Sequence, residues 1–142
     1  MEFKIWLENE DDYRGLHKAP NKNYGAPLYD LTNIYPEDVY GPNGIRYYGH
    51  GDFKLDKPSF LIIYKARNNP DYKVEIYRAI PNDLPLSDQN INSGDWVTIN
   101  KKYAISHGES TLHGQYKILS KIVPAKTLYT DGNSIHEWGY NP

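Results

Sequence analysis

Alternating apolar and polar residues predict the clearest regular element of this chain, a β-strand over residues 73–81. One face of that strand carries Val74, Ile76, Arg78 and Ile80. Arg78 therefore shares a face with three aliphatic side chains, and arginine is rarely buried without a partner. Either it snorkels or forms a structural ion pair, or it is aimed at an anionic ligand.

Similar patterns predict further strands over residues 95–100, 115–124, 127–130 and 134–140. Residues 101–108 read as a helix, with Asn100 as its N-cap and Gly108 as its stop. Residues 57–66 open as a helix from Pro58 or Ser59, although their β-branched centre is nearly as compatible with a strand.

The first third of the chain is less regular. Residues 1–14 begin as a strand or as a short helix, and residues 37–48 hold a short helix if Pro36 takes its first position. Between them, repeated proline and glycine predict an irregular segment, which is either a surface meander or a loop folded over a cleft. We therefore predict one α+β domain spanning residues 1–142, with a mainly antiparallel sheet.

Composition removes several classes of function. A net charge of −2 gives no general attraction to nucleic acid or anionic membranes. The absence of cysteine excludes disulfides, thiol chemistry and Cys-ligated zinc. No apolar run approaches the roughly 20 residues of a membrane span, and the N-terminus lacks the pattern of a signal peptide, so a soluble intracellular protein is expected.

The sequence contains few motifs that are typical of catalytic or metal sites. The five histidines show no His-x-x-x-His pair, so no metal site is expected. Residue counts permit a Ser-His-Asp triad, but no Gly-x-Ser-x-Gly elbow is present. A two-carboxylate glycosidase needs a second acid besides Glu137 on the last strand, and nothing selects one among Asp30, Asp52, Asp95 and Asp131.

A set of short motifs gives further information on fold and function. Their order resembles the ADP-ribosyltransferase-like domains of phage polyvalent and head-associated proteins. The motifs cover nearly the whole chain, at residues 15–20, 27–31, 35–40, 46–49, 76–81, 92–108 and 134–140.

The resemblance implies a split antiparallel β-sandwich with NAD bound between its sheets, and an Arg, Ser/Thr and Glu carried on three strands. In this chain those places fall to Arg78, Thr98 and Glu137. It further implies that Ala79, Tyr103 and His107 line the NAD cleft, with Tyr103 stacking on the nicotinamide ring.

The implied activity is mono-ADP-ribosylation, with NAD as substrate and a host protein or nucleic acid as acceptor. Many arginine-modifying members carry a second acid two residues before the catalytic Glu, where this chain has Ile135, so arginine is not the expected acceptor. The alternatives are an inactive nucleotide- or protein-binding module and an NAD glycohydrolase acting as a toxin or anti-defence factor. The expected location is the host cytoplasm or the virion.

Overall fold

The structure is a computed structural model, and it describes residues 19–142. The element predicted over residues 1–14 lies outside these described residues. Within them, six strands form one antiparallel sheet in the order β1-β5-β6-β3-β2-β4. The strands are β1 (Ala26–Pro27), β2 (Lys73–Pro81), β3 (Asp95–Thr98), β4 (Tyr116–Pro124), β5 (Leu128–Thr130) and β6 (Glu137–Tyr140).

Three α-helices accompany the sheet in the described part of the chain, and they confirm the predicted α+β class. They are α1 (Gly44–Tyr48), α2 (Phe53–Ala66) and α3 (Lys101–Ser110). Short 3-10 turns occupy Glu37–Tyr40, Leu86–Asp88 and Ala125–Thr127.

Strand β2 is as the alternation predicts, with the face of Val74, Ile76, Arg78 and Ile80 buried. Its pairing with β4 runs through all nine residues of both strands. Ala79, on the opposite face, is buried as well, because α3 covers that side of β2. The sheet is therefore packed on both faces, as its two separate clusters of buried side chains also indicate.

The larger cluster fills the face that β2 shares with Val97 and Trp138, where Phe60 and Ile63 of α2 pack. The smaller cluster lies under α3 and centres on Ala79 and Trp96. Thus α2 and α3 sit on opposite faces of the same central strands.

Two helix predictions need correction. Helix α2 begins at Phe53 rather than at Pro58 or Ser59, because Asp52 caps it by accepting the Leu55 amide through Oδ1 at 3.2 Å. Helix α3 has the predicted Asn100 cap but continues through Gly108 to Ser110. A β-carbon at Gly108 would run into the Tyr116 ring, so glycine permits close packing there and is not a stop.

The predicted helix over residues 37–48 is divided. A 3-10 turn at Glu37–Tyr40 follows Pro36, and α1 starts only at Gly44. Gly41 and Pro42 separate the two pieces, consistent with the helix-breaking character of both residue types.

Candidate functional site

Strand β6 brings Glu137 to the edge of α3. Thr98 of β3 lies directly opposite Glu137 in the register, so the two residues share one face of the sheet. Glu137 is half-buried, and Tyr103 of α3 donates its phenol hydrogen to Glu137 Oε2 at 2.6 Å. The structure thus brings together three of the residues that the sequence singled out: Glu137, Thr98 and Tyr103.

The hydroxyl of Thr98 has a local partner. Its Oγ1 accepts the backbone N–H of Asn100 at 3.1 Å, and the residue is fully buried. Thr98 therefore stabilises the turn that leads from β3 into α3, and it adjoins Glu137 as a cross-strand neighbour.

Arg78 lies on the other face. Tyr77 pairs with Thr98, so the next residue along β2 projects to the opposite side of the sheet. There the Arg78 Nη1 donates to the Trp96 carbonyl at 3.2 Å and lies 3.9 Å from Asp95 Oδ1. Only 4 % of Arg78 is exposed. The structural ion pair raised by the sequence pattern is present, and Arg78 does not share the face of Glu137.

Two other sequence candidates are also covered. Ala79 has no exposed surface and packs beneath α3. His107, one turn after Tyr103 on α3, is 8 % exposed, and its burial lowers its pKa to about 4. Ala79 belongs to the cluster under α3, and His107 is a buried residue of α3 itself.

Behind Tyr103 lies a buried polar network that joins α2 to the start of β6. The ring of His136 stacks on the Tyr103 ring, with centroids 4.7 Å apart and planes inclined by 25°. His136 Nε2 is 2.9 Å from Asp56 Oδ1, and His136 Nδ1 is 2.7 Å from Ser59 Oγ. None of the three polar residues is more than 1 % exposed.

The directions of these hydrogen bonds follow from charge. Burial lowers the pKa of His136 to about 4, against the opposing effect of Asp56, so the ring is neutral at pH 7. The Asp56 carboxylate only accepts, which places the ring hydrogen on Nε2. Nδ1 then accepts the hydroxyl hydrogen of Ser59, and Ser59 Oγ accepts from Asn100 Nδ2 at 3.0 Å.

Asn100 ties this network to α3. Its side-chain oxygen accepts the Tyr103 amide at 3.2 Å, which is the N-cap of the helix. Its Nδ2 also donates to the Leu55 carbonyl at 2.7 Å. One asparagine therefore fixes the start of α3 against α2, and with it the position of Tyr103.

His50 closes the open side of the cluster. It is exposed, its Nε2 is 3.0 Å from Ser134 Oγ, and its ring lies edge-on to His136 with centroids 4.6 Å apart. Its backbone N–H donates to Asp56 Oδ2 at 2.8 Å. Both oxygens of the Asp56 carboxylate are therefore used.

The network contains serine, histidine and aspartate in hydrogen-bonding order, but it is not built as a nucleophile. Ser59 has no exposed surface, so its hydroxyl cannot meet a substrate carbonyl. Of the two acids that this cluster links, Glu137 is half-buried, whereas Asp56 is only 1 % exposed.

Within residues 19–142, no group of three or more His, Cys, Asp or Glu side chains is placed to hold a metal ion. Over the same residues, no helix has both the length and the apolarity to cross a bilayer.

Comparisons with protein-family models, curated proteins and solved structures gave no significant match to this chain.

Sequence reasoning missed the network as a unit. His136 lies 77 positions from Ser59 and 80 from Asp56, so no local spacing connects them. A weak signal was available in α2, where Asp56 and Ser59 are three positions apart and share one helical face.

Proposed function

We propose that this protein is an NAD-dependent mono-ADP-ribosyltransferase, phage- or prophage-encoded, whose catalytic group is Glu137. The observation that carries the proposal is the arrangement around this carboxylate. Glu137 faces Thr98 across adjacent strands and is held by Tyr103 at 2.6 Å. The three strands that carry Arg78, Thr98 and Glu137 are also direct neighbours in the sheet. We propose the split β-sandwich of ADP-ribosyltransferases as the fold type.

The proposed reaction breaks the bond between C1′ of the ribose and the nicotinamide nitrogen. Positive charge builds on the ribose as nicotinamide leaves, as it does on the sugar in glycoside hydrolysis. The anionic Glu137, held in place before the reaction, stabilises that charge. An acceptor nucleophile then bonds to C1′ and releases its proton to solvent.

The position two residues before Glu137 bears on the acceptor. Ile135 has no exposed surface and belongs to the main hydrophobic cluster. A side chain there cannot activate an incoming guanidinium. An acceptor other than arginine, on a protein or a nucleic acid, is therefore favoured, and water as acceptor gives the NAD glycohydrolase alternative.

The burial of Arg78 favours a structural role over the role in the NAD site that the family resemblance implies. A guanidinium 4 % exposed, bonded to a main-chain carbonyl and facing Asp95, is suited to joining β2 to β3. We therefore assign Arg78 to holding the strands in register, and the burial of Ala79 and His107 argues for the same kind of structural part.

The test is incubation of the purified protein with NAD labelled in the adenylate, with and without host lysate. Nicotinamide release together with label on a discrete macromolecule supports a transferase and identifies its acceptor. Nicotinamide release without transferred label supports the glycohydrolase. Absence of release in both conditions contradicts the proposal and favours a binding module without catalysis.

A further inference from the structure

The polar cluster behind Glu137 is arranged as a chain of contacts that ends at the proposed catalytic group. Its members form a chain from the inside of the fold to its surface, beginning at Asp56 and passing through His136 to Tyr103. The chain ends on the carboxylate of Glu137, because the Tyr103 hydroxyl donates to Oε2. Its outer end therefore meets the one group to which catalysis is assigned.

We infer that Tyr103 is a positioning residue for the Glu137 carboxylate and that His136 is the brace that fixes the Tyr103 ring. This inference rests on the proposed function for its kinetic consequence, but not for its structural one. The hydrogen bond from Tyr103 engages Oε2 of Glu137.

Two linked constraints hold Tyr103. Its backbone is fixed by the Asn100 cap, whose oxygen accepts the Tyr103 N–H at 3.2 Å. Its ring is fixed by the stack on His136. Asn100 contributes to both constraints, because it also donates to Ser59, which in turn bonds the His136 ring.

The bracing ring is itself locked. A neutral His136 with its hydrogen on Nε2 donates to Asp56 and accepts from Ser59, so both ring nitrogens are satisfied in one orientation. Rotation of this ring would break two buried hydrogen bonds, and each broken bond would leave a buried polar group unsatisfied. The Tyr103 ring therefore stacks on a histidine ring whose orientation is fixed.

A carboxylate held in this way is ordered before the substrate arrives. Misplacement of a catalytic group by about 1 Å can cost roughly a hundredfold in rate. Removal of the Tyr103 hydroxyl should therefore lower kcat and leave KM unchanged, because the ring and its stack remain.

The chain provides a matched control. Tyr116 donates its hydroxyl to Glu109 Oε2 at 2.7 Å, a bond of the same kind that lies at the surface and away from Glu137. The experiment compares Tyr103→Phe with Tyr116→Phe in two readouts. One is the rate of nicotinamide release, and the other is the pH titration of the Glu137 side-chain carboxyl followed by carbon NMR.

We expect Tyr103→Phe to lower kcat about tenfold to a hundredfold and to move the Glu137 titration midpoint to higher pH, because the ionised carboxylate loses a donor. Tyr116→Phe should change neither. If the Glu137 titration midpoint in Tyr103→Phe is the same as in Tyr116→Phe, the positioning role is overturned.

The two proposals fail in different ways. If the parent protein releases no nicotinamide, the proposed function fails, and the NMR titration alone decides whether Tyr103 holds Glu137. If the parent is active but the midpoint does not move in Tyr103→Phe, the positioning inference fails and the proposed function stands.

The brace has its own test. Ser59→Ala removes the donor to His136 Nδ1 and leaves Tyr103 and Glu137 intact. Its effect on kcat should be smaller than that of Tyr103→Phe, and the double variant should lose less than the product of the two single effects. Multiplicative effects would show that the His136 ring does not act through Tyr103.

Discussion

Two tyrosine–glutamate pairs each have one member on helix α3, and both make the same kind of hydrogen bond. Tyr103 donates to Glu137 at 2.6 Å, and Tyr116 donates to Glu109 at 2.7 Å. The two pairs differ in their surroundings. The Tyr103 ring stacks on a fully buried histidine, whereas the bond from Tyr116 ends on an exposed acid.

A short hydrogen bond between a phenol and a carboxylate therefore does not by itself make a functional site. At the surface, such a bond competes with water and contributes little. Beside Glu137, the orientation of the tyrosine is fixed by a network of buried hydrogen bonds. Its members are Asp56, His136, Ser59 and Asn100. The variants below test whether the network gives the first pair its rigidity.

The largest expected loss of stability follows removal of the buried carboxylate. Asp56→Ala leaves His136 Nε2–H and the His50 amide without their acceptor. We expect the free energy of unfolding to fall by about 3–5 kcal/mol, because two donors lose a charged acceptor and each hydrogen bond to a charged group contributes about 1.5–3 kcal/mol. Urea unfolding followed by circular dichroism measures this change.

The matched acid is Glu109, whose carboxylate is exposed on α3. Glu109→Ala should change the unfolding free energy by no more than about 0.5 kcal/mol. Equal losses for the two variants would show that the inner network contributes no more than the surface pair.

A second expected effect concerns the opposite face of the sheet. Arg78→Ala removes a cationic neighbour of Asp95 and a donor to the Trp96 carbonyl. We expect a loss of about 3 kcal/mol in unfolding free energy. At temperatures where the variant remains folded, NAD affinity should match that of the parent protein.

Calorimetric titration with NAD separates the two parts considered for Arg78. A large loss of affinity with unchanged stability would return it to the role of a dinucleotide ligand that the family resemblance implies. Lost stability with retained affinity supports the structural assignment.

Acid should lower the stability of the fold through two buried histidines, His136 and His107. Burial lowers the pKa of both His136 and His107 to about 4, below the value of 6.5 for a solvated histidine. The unfolded chain therefore binds more protons, and stability is lost as pH falls from about 6.5 towards 4. We expect on the order of 2 kcal/mol for each histidine, less than the full shift would give.

Unfolding free energies measured between pH 7 and 4 check this expectation. His107→Gln should reduce the pH dependence, since it removes one of the two histidines. A stability that stays constant over this range would contradict the neutral, buried state of both rings.

How far the sequence predicted this molecule depends on the range of the interactions involved. Strand β2 and its buried face were predictable because a period of two operates within nine residues. Helix α3 was predictable because its cap, Asn100, adjoins it in sequence. The start of α2 was misplaced because Pro58 suggested a beginning, although the capping residue is Asp52, six positions earlier.

The candidate site divides in the same way. Thr98 and Glu137 pair on two adjacent strands, and the family resemblance had pointed to both residues. The network behind them joins α2 to β6 across about half of the chain, and single-residue patterns carry no information on such contacts. Likewise, alternation put Arg78 on an apolar face, but only the register shows that Thr98 and Glu137 lie on the other one.

The most direct test of the central claim is the rate of nicotinamide release from NAD by the parent protein, Glu137→Gln and Glu109→Gln. The two substitutions remove the same charge from two carboxylates that each accept a tyrosine hydroxyl. We predict that Glu137→Gln lowers the rate by about 10²–10³-fold while remaining folded, and that Glu109→Gln retains the parent rate. Equal rates for all three proteins would contradict the assignment of Glu137 as the catalytic group.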